Sequence, residues 1–441
     1  MQGKKLRITF LFFSFFALLF FSSCVTNRNF FNQVDSHVGR GDYQTAVSMI
    51  EKNEDNLYTK KDLVLKSLDK GLLLHYGGDY KTSNKELAYA EEKMFEYFSK
   101  SISQSVQSFI INDAVIDYAG DPYEDIYSNL FMALNYIALN EMDKALVEIR
   151  RFDTKQKNLR LNYAQAQNKA NQNSLSDAYF GEMSFHNSAL ARYLSMLLYR
   201  AEGNVDAAEI DLRYIKTAFR DQSQLYPFSL PSSLDDELIK LPGLERLNVL
   251  CFTGLAPIKT EEVIRFYTSD TYYKLALPIM FKRPSRIVSI SVAVENEDTG
   301  EKHQFRLDPL ESIDSIAYDT FRQKQDLLYF KAIARSIAKS MTTNVLDAAS
   351  RVDQNGDASG ILGLLSIVSL VSNELTEVAD LRTSRYFPAK ASVGGIHLAP
   401  GRYTVQIQYK DAWGGTIWLE TIQGFELKRN TINLVEGICL Q

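Results

Sequence analysis

The sequence predicts an α+β protein: an N-terminal α-helical repeat array, then a β-sandwich-like C-terminal domain with a helical insertion. Three observations carry that expectation. From about residue 33 to 222 apolar residues recur at three- and four-residue spacing with few prolines, the pattern of amphipathic helices. Pro227, Pro231, Pro242 and Pro257 then break this register and place a linker at 223–245. Beyond it, over 246–441, short runs alternate apolar with polar residues, as half-buried strands do. With 45% apolar and 23% charged residues in 441, the chain can bury a core and is not a disordered polymer.

The first element is an address. Residues 1–23 combine a basic start (Lys4, Lys5, Arg7) with the apolar run Ile8 to Phe21. Fourteen helical residues span roughly 21 Å, short of a hydrocarbon core of about 30 Å, so the run reads as a cleaved signal rather than a membrane helix. It ends in Phe21-Ser22-Ser23-Cys24, which resembles a bacterial lipobox with Phe where Leu is usual. The expectation is cleavage before Cys24, lipidation (palmitate-type acylation) of Cys24, and a tether over 24–32. That chain would be lipid-anchored in the cell membrane, at the outer membrane facing the periplasm. Acyl chains on one Cys hold a protein stably because each buried CH₂ adds about 0.8 kcal/mol.

In the helical half, 33–222, four turns share a signature: Gly41-Asp42-Tyr43 before Ala46, Gly78-Asp79-Tyr80 before Ser83, Glu141-Met142-Asp143 before Ala145, and Gly203-Asn204-Val205 before Ala208. Ala133 and Tyr136 precede the third, and Met196 and Tyr199 the fourth. A small residue lets antiparallel helices approach and an aromatic fills the gap between hairpins, which is the logic of tetratricopeptide (TPR) repeats. On that register the first helices line a concave face bearing Tyr127, Leu134, Tyr193, Leu197 and Arg200. This groove would suit an extended or helical peptide, or would be filled by the C-terminal domain. The basic, amide-rich stretch 154–176 reads as a solvated helix extension or loop, with a partner-binding ridge as the other reading.

In the second half, strands are expected at 247–253, 272–280 and 287–295, where Val288, Ile290, Val292 and Val294 alternate with small or polar residues. Pro400-Gly401 turns into a strand carrying Tyr403, Val405, Ile407 and Tyr409, and Gly414-Gly415 turns into 416–422, followed by 425–427 and 432–435. Between these sets lies a helical insertion at about 310–378, containing an amphipathic candidate at 327–349 and the apolar run 360–372. Thirteen residues are too few to cross a membrane, so that run reads as a buried helix. Cys251 and Cys439 sit in apolar runs, either as buried thiols or as a disulfide.

Chemistry is harder to find. His37, His75, His186, His303 and His397 have no ligand-spaced neighbours, and no zinc-protease, nucleophile-elbow or phosphate-loop motif occurs. Asp353, Asn355, Asp357 and Ser359 space oxygens as a calcium loop does, but Ala358 and Leu364 stand where its Gly and Glu belong, so the run reads as a polar turn. Lys plus Arg is 49 against 54 acids, which offers no cationic surplus for nucleic acid. The residues singled out for a special role are Tyr123, Glu124, Glu148, Arg150 and Arg151, which would either hold a ligand carboxylate and position a general acid, or pin the hairpins by ion pairs. No cofactor, metal ligand or catalytic residue is nominated.

Two stretches carry a resemblance. Gly120-Asp121-Pro122-Tyr123-Glu124 continues through Ala133-Leu134-Asn135-Tyr136 to Glu148-Ile149-Arg150-Arg151. Later, Ala379-Asp380-Leu381-Arg382-Thr383-Ser384-Arg385 leads through Phe387-Pro388-Ala389 to Leu398-Ala399-Pro400-Gly401-Arg402-Tyr403. In this order and behind a lipobox, they resemble an uncharacterised bacterial family of TPR-containing envelope lipoproteins. The resemblance implies helical repeats and a β-rich C-terminal domain and brings no activity. The expected function is a non-enzymatic TPR scaffold that binds an envelope protein partner in the periplasm. The alternatives are an enzyme or activator acting on peptidoglycan or another envelope polymer, with Glu124 and Glu148 as its coupled carboxylates, and an apolar-ligand carrier using 360–372.

Overall fold

The computed structural model describes residues 30–103, 114, 116–172, 184–267, 272–322, 325 and 379–441. The signal segment, Cys24, the helix expected at 327–349, the calcium-like run and the apolar run 360–372 lie outside the described residues. The helical half contains α1 (30–38), α2 (Tyr43–Lys52), the short α3 (Glu54–Leu57), α4 (Leu63–Tyr76), α5 (Tyr80–Ser103), α6 (Pro122–Ala138), α7 (Met142–Gln172), α8 (Ala189–Ala201) and α9 (Val205–Asp221).

The four turns read from sequence have one geometry. Asp42, Asp79, Glu141 and Asn204 each donate a backbone N–H to the carbonyl five residues earlier, on His37, Leu74, Tyr136 and Tyr199, at 2.8 to 3.0 Å. The residue before each donor is left-handed: Gly41, Gly78, Asn140 and Gly203, with φ between 59° and 83°. A left-handed residue closing the last helical turn is the usual way to end a helix abruptly, and Gly or Asn adopts it at least cost. The small residues after the turns, Ala46, Ser83, Ala145 and Ala208, are fully buried. Helices α4–α5, α6–α7 and α8–α9 therefore pack as hairpins, and neighbouring hairpins meet through α5–α6 and α7–α8.

The second half corrects the expected sandwich of two facing sheets. Strands β1 (Glu245–Leu255), β4 (Ser289–Asn296), β5 (Lys302–Ser312), β6 (Pro388–Leu398), β7 (Gly401–Lys410), β8 (Thr416–Leu427) and β9 (Leu434–Cys439) form one sheet in the order β8-β7-β4-β5-β6-β1-β9. Apart from the parallel β1–β9 pair, neighbours are antiparallel. The start of β5 pairs with β4 and its end pairs with β6, with the register shifting between Pro309 and Glu311. Pro donates no ladder bond and is tolerated at such a bulge, which bends the strand. One strand thus serves both halves, and the sheet curls until it is nearly closed. At the seam the Glu420 carboxylate of β8 accepts the Ile438 N–H of β9 at 3.1 Å and the Tyr409 hydroxyl of β7 at 3.2 Å. Strands β2 (Ile258–Tyr267) and β3 (Tyr272–Phe281) form a separate two-stranded hairpin.

Strand β1 joins the two halves. Its odd residues Leu247, Val249 and Cys251 enter the interior of the curled sheet beside Val292, Val405 and Ile407, while Leu250 and Phe252 enter the helical core. Strand residues alternate faces, so a strand buried on both sides reads as a continuous apolar run. The stretch 223–245 is itself packed, with Leu225, Tyr226, Leu234 and Glu237 buried around the 3-10 turn Ser232–Asp236. Cys251 and Cys439 are free and buried, and burial raises both thiols. Cys439 lies opposite Thr253, two residues along from Cys251. From the expected insertion, residues 313–322 form helix α10. Among the described residues no helix is long and apolar enough to cross a membrane.

Candidate functional site: buried carboxylates between helices and sheet

The helical layer meets the rest of the chain through a row of buried acids, each surrounded by donors from another element. Helix α6 opens with Asp121-Pro122-Tyr123-Glu124, a capping residue followed by Pro at the first helical position. One Glu124 oxygen turns back to accept the Asp121 N–H at 2.8 Å and the Tyr118 hydroxyl at 2.7 Å. The other accepts the Ser384 N–H at 2.6 Å and the Thr383 hydroxyl at 3.2 Å. Beside it, Asp69 of α4 accepts the Ser384 hydroxyl and the Arg385 N–H, both at 2.8 Å, and the Tyr58 hydroxyl at 3.0 Å. Two carboxylates therefore clamp the strap 379–387. Tyr123 stands against the same strap, its ring 5.6 Å from that of Phe387. Lys259 of β2 pairs with Asp121 at 2.7 Å and donates to the Arg382 carbonyl at 3.0 Å.

Further along the row, Glu311 of β5 reaches the start of α8. Its carboxylate accepts the Ser188 hydroxyl at 2.8 and 2.9 Å, the Leu190 N–H at 3.0 Å, the Tyr226 hydroxyl at 2.9 Å and the Tyr127 hydroxyl. An anion at a helix N-terminus satisfies its free N–H groups and meets the positive end of its dipole. Glu237 forms the next node, accepting Arg200 at 2.6 Å, the Tyr193 hydroxyl at 3.3 Å and Asn248 of β1 at 2.9 Å, with Arg246 at 3.2 Å. At the last node His75 of α4 bridges Asn135 of α6 at 2.7 Å and Glu436 of β9 at 2.8 Å.

The sequence-nominated residues fall on this row or behind it. Tyr127, Leu134, Tyr193 and Leu197 are at most 2% exposed, and Arg200 is spent on Glu237 and Asn248, so the expected groove is covered by the chain's own β-rich half. A sequence can mark the apolar face of a hairpin but not what lies against it. The polar cluster is divided. Glu124 serves the strap, whereas Glu148 of α7 accepts Asn129 at 2.7 Å and pairs with Arg151 at 3.4 Å, so the two carboxylates share no partner. Arg151 also reaches Glu91 at 3.1 Å, and Arg150 is exposed, reaching the Tyr199 hydroxyl at 3.5 Å. The ion-pair reading of Glu148 and Arg151 is the one this geometry matches. Asp69, Glu237, Asn248, Glu311 and Glu436 escaped the sequence reading, and His75 was noted only as a histidine without ligand-spaced neighbours. For Asp69 a signal existed, a lone acid on the buried face of the apolar helix LVLKSLDKGLLLHY. Among the described residues, no group of three or more His, Cys, Asp or Glu side chains is arranged to hold a metal ion. No family model, curated protein or solved structure matches the chain.

Glu124, Asp69 and His75 are all shifted upward. Burial pushes Glu124 up to about 7 and Asp69 up to about 6, and Asp121 adds to the rise at Glu124. Burial alone would lower His75, but the Glu436 carboxylate outweighs it and holds the imidazole above its usual value. A carboxyl raised in the folded state binds more protons folded than unfolded, so its ionisation costs stability as pH rises from the unfolded value toward the folded one. A raised His contributes stability that is present below its unfolded value and lost as pH rises through its folded one. Both effects predict a higher melting temperature near pH 5 than near pH 8. Glu124→Gln should flatten this slope up to the folded Glu124 value of about 7. Melting curves with the same slope for both chains would refute the assignment.

Proposed function

We propose that the chain is a lipid-anchored cell-envelope protein whose TPR-like hairpins hold a protein partner in the periplasm. The lipobox ending in Cys24 supports the anchor. The observation that carries the scaffold reading is the repeated hairpin: four turns of one geometry, each followed by a buried small residue. Because the first helices are covered by the β-rich half, the partner face is assigned to the second helices. Phe95 of α5 is 74% exposed, Val147 of α7 49% and Ile210 of α9 44%, giving each hairpin an apolar side chain on its outer surface.

The test is a photo-crosslinking residue introduced singly at Phe95, Val147 or Ile210 in the lipidated protein in cells, with Leu134 as the buried control. One dominant envelope protein captured from the exposed positions and not from Leu134 is the expected result. No adduct, or the same products from all four positions, would remove the scaffold reading. Incorporation of labelled palmitate that survives Cys24→Ala would remove the anchor.

A further inference from the structure

We infer that the β7–β8 hairpin is a membrane-contact element, with Trp413 entering the interfacial layer of the bilayer that carries the lipid anchor. This inference rests on the anchor reading and goes beyond it, because an anchor on a tether leaves the folded body free to orient in any way. Trp413 is 91% exposed at the tip of Asp411-Ala412-Trp413-Gly414-Gly415, the most exposed large apolar side chain among the described residues. The tip is nevertheless held in shape. One Asp411 carboxylate oxygen accepts the N–H groups of Trp413 at 2.9 Å and Gly415 at 2.8 Å. The backbone closes with Asp411 N–H to the Gly415 carbonyl at 2.9 Å, and Gly414 takes the left-handed φ of 82° that the turn requires. A turn built this carefully around an indole that covers nothing presents the ring outward.

The surroundings suit a lipid surface better than a protein pocket. Val288, 68% exposed, donates its N–H to the Lys410 carbonyl at 2.8 Å, which brings a second apolar side chain to the base of the hairpin. Lys410 and the exposed Arg286 supply cations beside them. An indole at a hairpin tip with long cationic side chains near the hairpin's base is a composition that settles at headgroup depth, apolar ring inward and charges outward. The turn that follows α1, nine to eleven residues from the start of the described chain, lies at the same end of the curled sheet. A Cβ added at Gly41 would meet the ring of Trp418, the β8 residue opposite Tyr409, at 3.2 Å. The Gln441 side chain donates to the Gly39 carbonyl at 2.7 Å, and Ser285 donates to the Gln441 carbonyl at 2.6 Å. Cys24 is six residues before Phe30, a reach of at most about 21 Å.

The chain contains two tryptophans, so its own fluorescence reads the contact. The full lipidated protein is bound to vesicles of phosphatidylcholine and phosphatidylglycerol, with flotation reporting the anchor. Replacing part of the phosphatidylcholine by lipid brominated high on its acyl chains should quench the emission. Trp413→Phe, which removes no buried contact, should float equally and lose that quenching, leaving the Trp418 signal. Protein that floats with unquenched emission overturns the inference and leaves the anchor intact. Protein that neither floats nor quenches overturns both. Emission that shifts instead with soluble peptidoglycan fragments assigns the tip to a glycan and also overturns it.

Discussion

Glu311→Ala should lower the stability of the whole protein by about 3–5 kcal/mol, since each buried donor left without an acceptor costs about 1–3 kcal/mol and relaxation recovers part of the sum. The side chain is fully buried and crosses from the sheet to the helices, taking hydrogen bonds from Tyr127 of α6, from Ser188 and Leu190 at the start of α8, and from Tyr226. Removal strands four donors in a buried interface and opens a polar cavity. It also strips α8 of the anion at its first turn, worth about 0.3–1 kcal/mol by itself and more where solvent is excluded. Glu311→Gln keeps the volume and one acceptor and should cost less, which separates the hydrogen bonds from the packing. The measurement is the urea midpoint at constant slope. A midpoint unchanged in Glu311→Ala would mean that helices and sheet are not joined here.

The second large effect is expected at Phe131, near the middle of α6. Its ring is fully buried, with centroids 5.0 Å from His75, 5.9 Å from Tyr76, 5.2 Å from Phe252 of β1 and 6.0 Å from Phe387 of the strap. Phe131→Ala should cost about 3–5 kcal/mol, because the ring's transfer energy is lost and the surrounding aromatics close over the cavity only in part. A double-mutant cycle with Phe252→Leu should show coupling of about 0.5–1.5 kcal/mol, the specific part of an aromatic pair. Additive effects within error would argue that the helical and sheet cores are independent.

These two sites show what the sequence disclosed and what it withheld. The hairpin turns were legible because their chemistry is local: a left-handed position takes Gly or Asn, and the crowded helix crossing takes Ala or Ser, wherever the rest of the chain goes. The alternation in β4 and β7 was equally legible, since every second residue faces one side. Alternation names a face and not a neighbour, so the same pattern suited two stacked sheets and one curled sheet. The choice was made at Pro309, where β5 changes partner. The groove left two readings open for the same reason, a peptide partner or the chain's own C-terminal half. Tyr193 and Arg200 do face the inside of a hairpin, but Glu237 and Asn248, 37 to 55 residues later, arrive to cover them. Glu311 was assigned to the helical insertion, and nothing local marked it as a node because its partners lie 85 to 184 residues away.

The double burial of β1 also bears on how this sequence can drift. Each residue from Leu247 to Phe252 answers to one of two interiors, and the chain direction alone decides which. Deleting a single residue there would send Asn248 and the polar row's donors into the apolar interior of the sheet and turn Val249 toward Glu237, spoiling both cores in one step. Lineages descended from this chain should therefore keep the length of β1 fixed, making that strand the ruler against which their alignments are set.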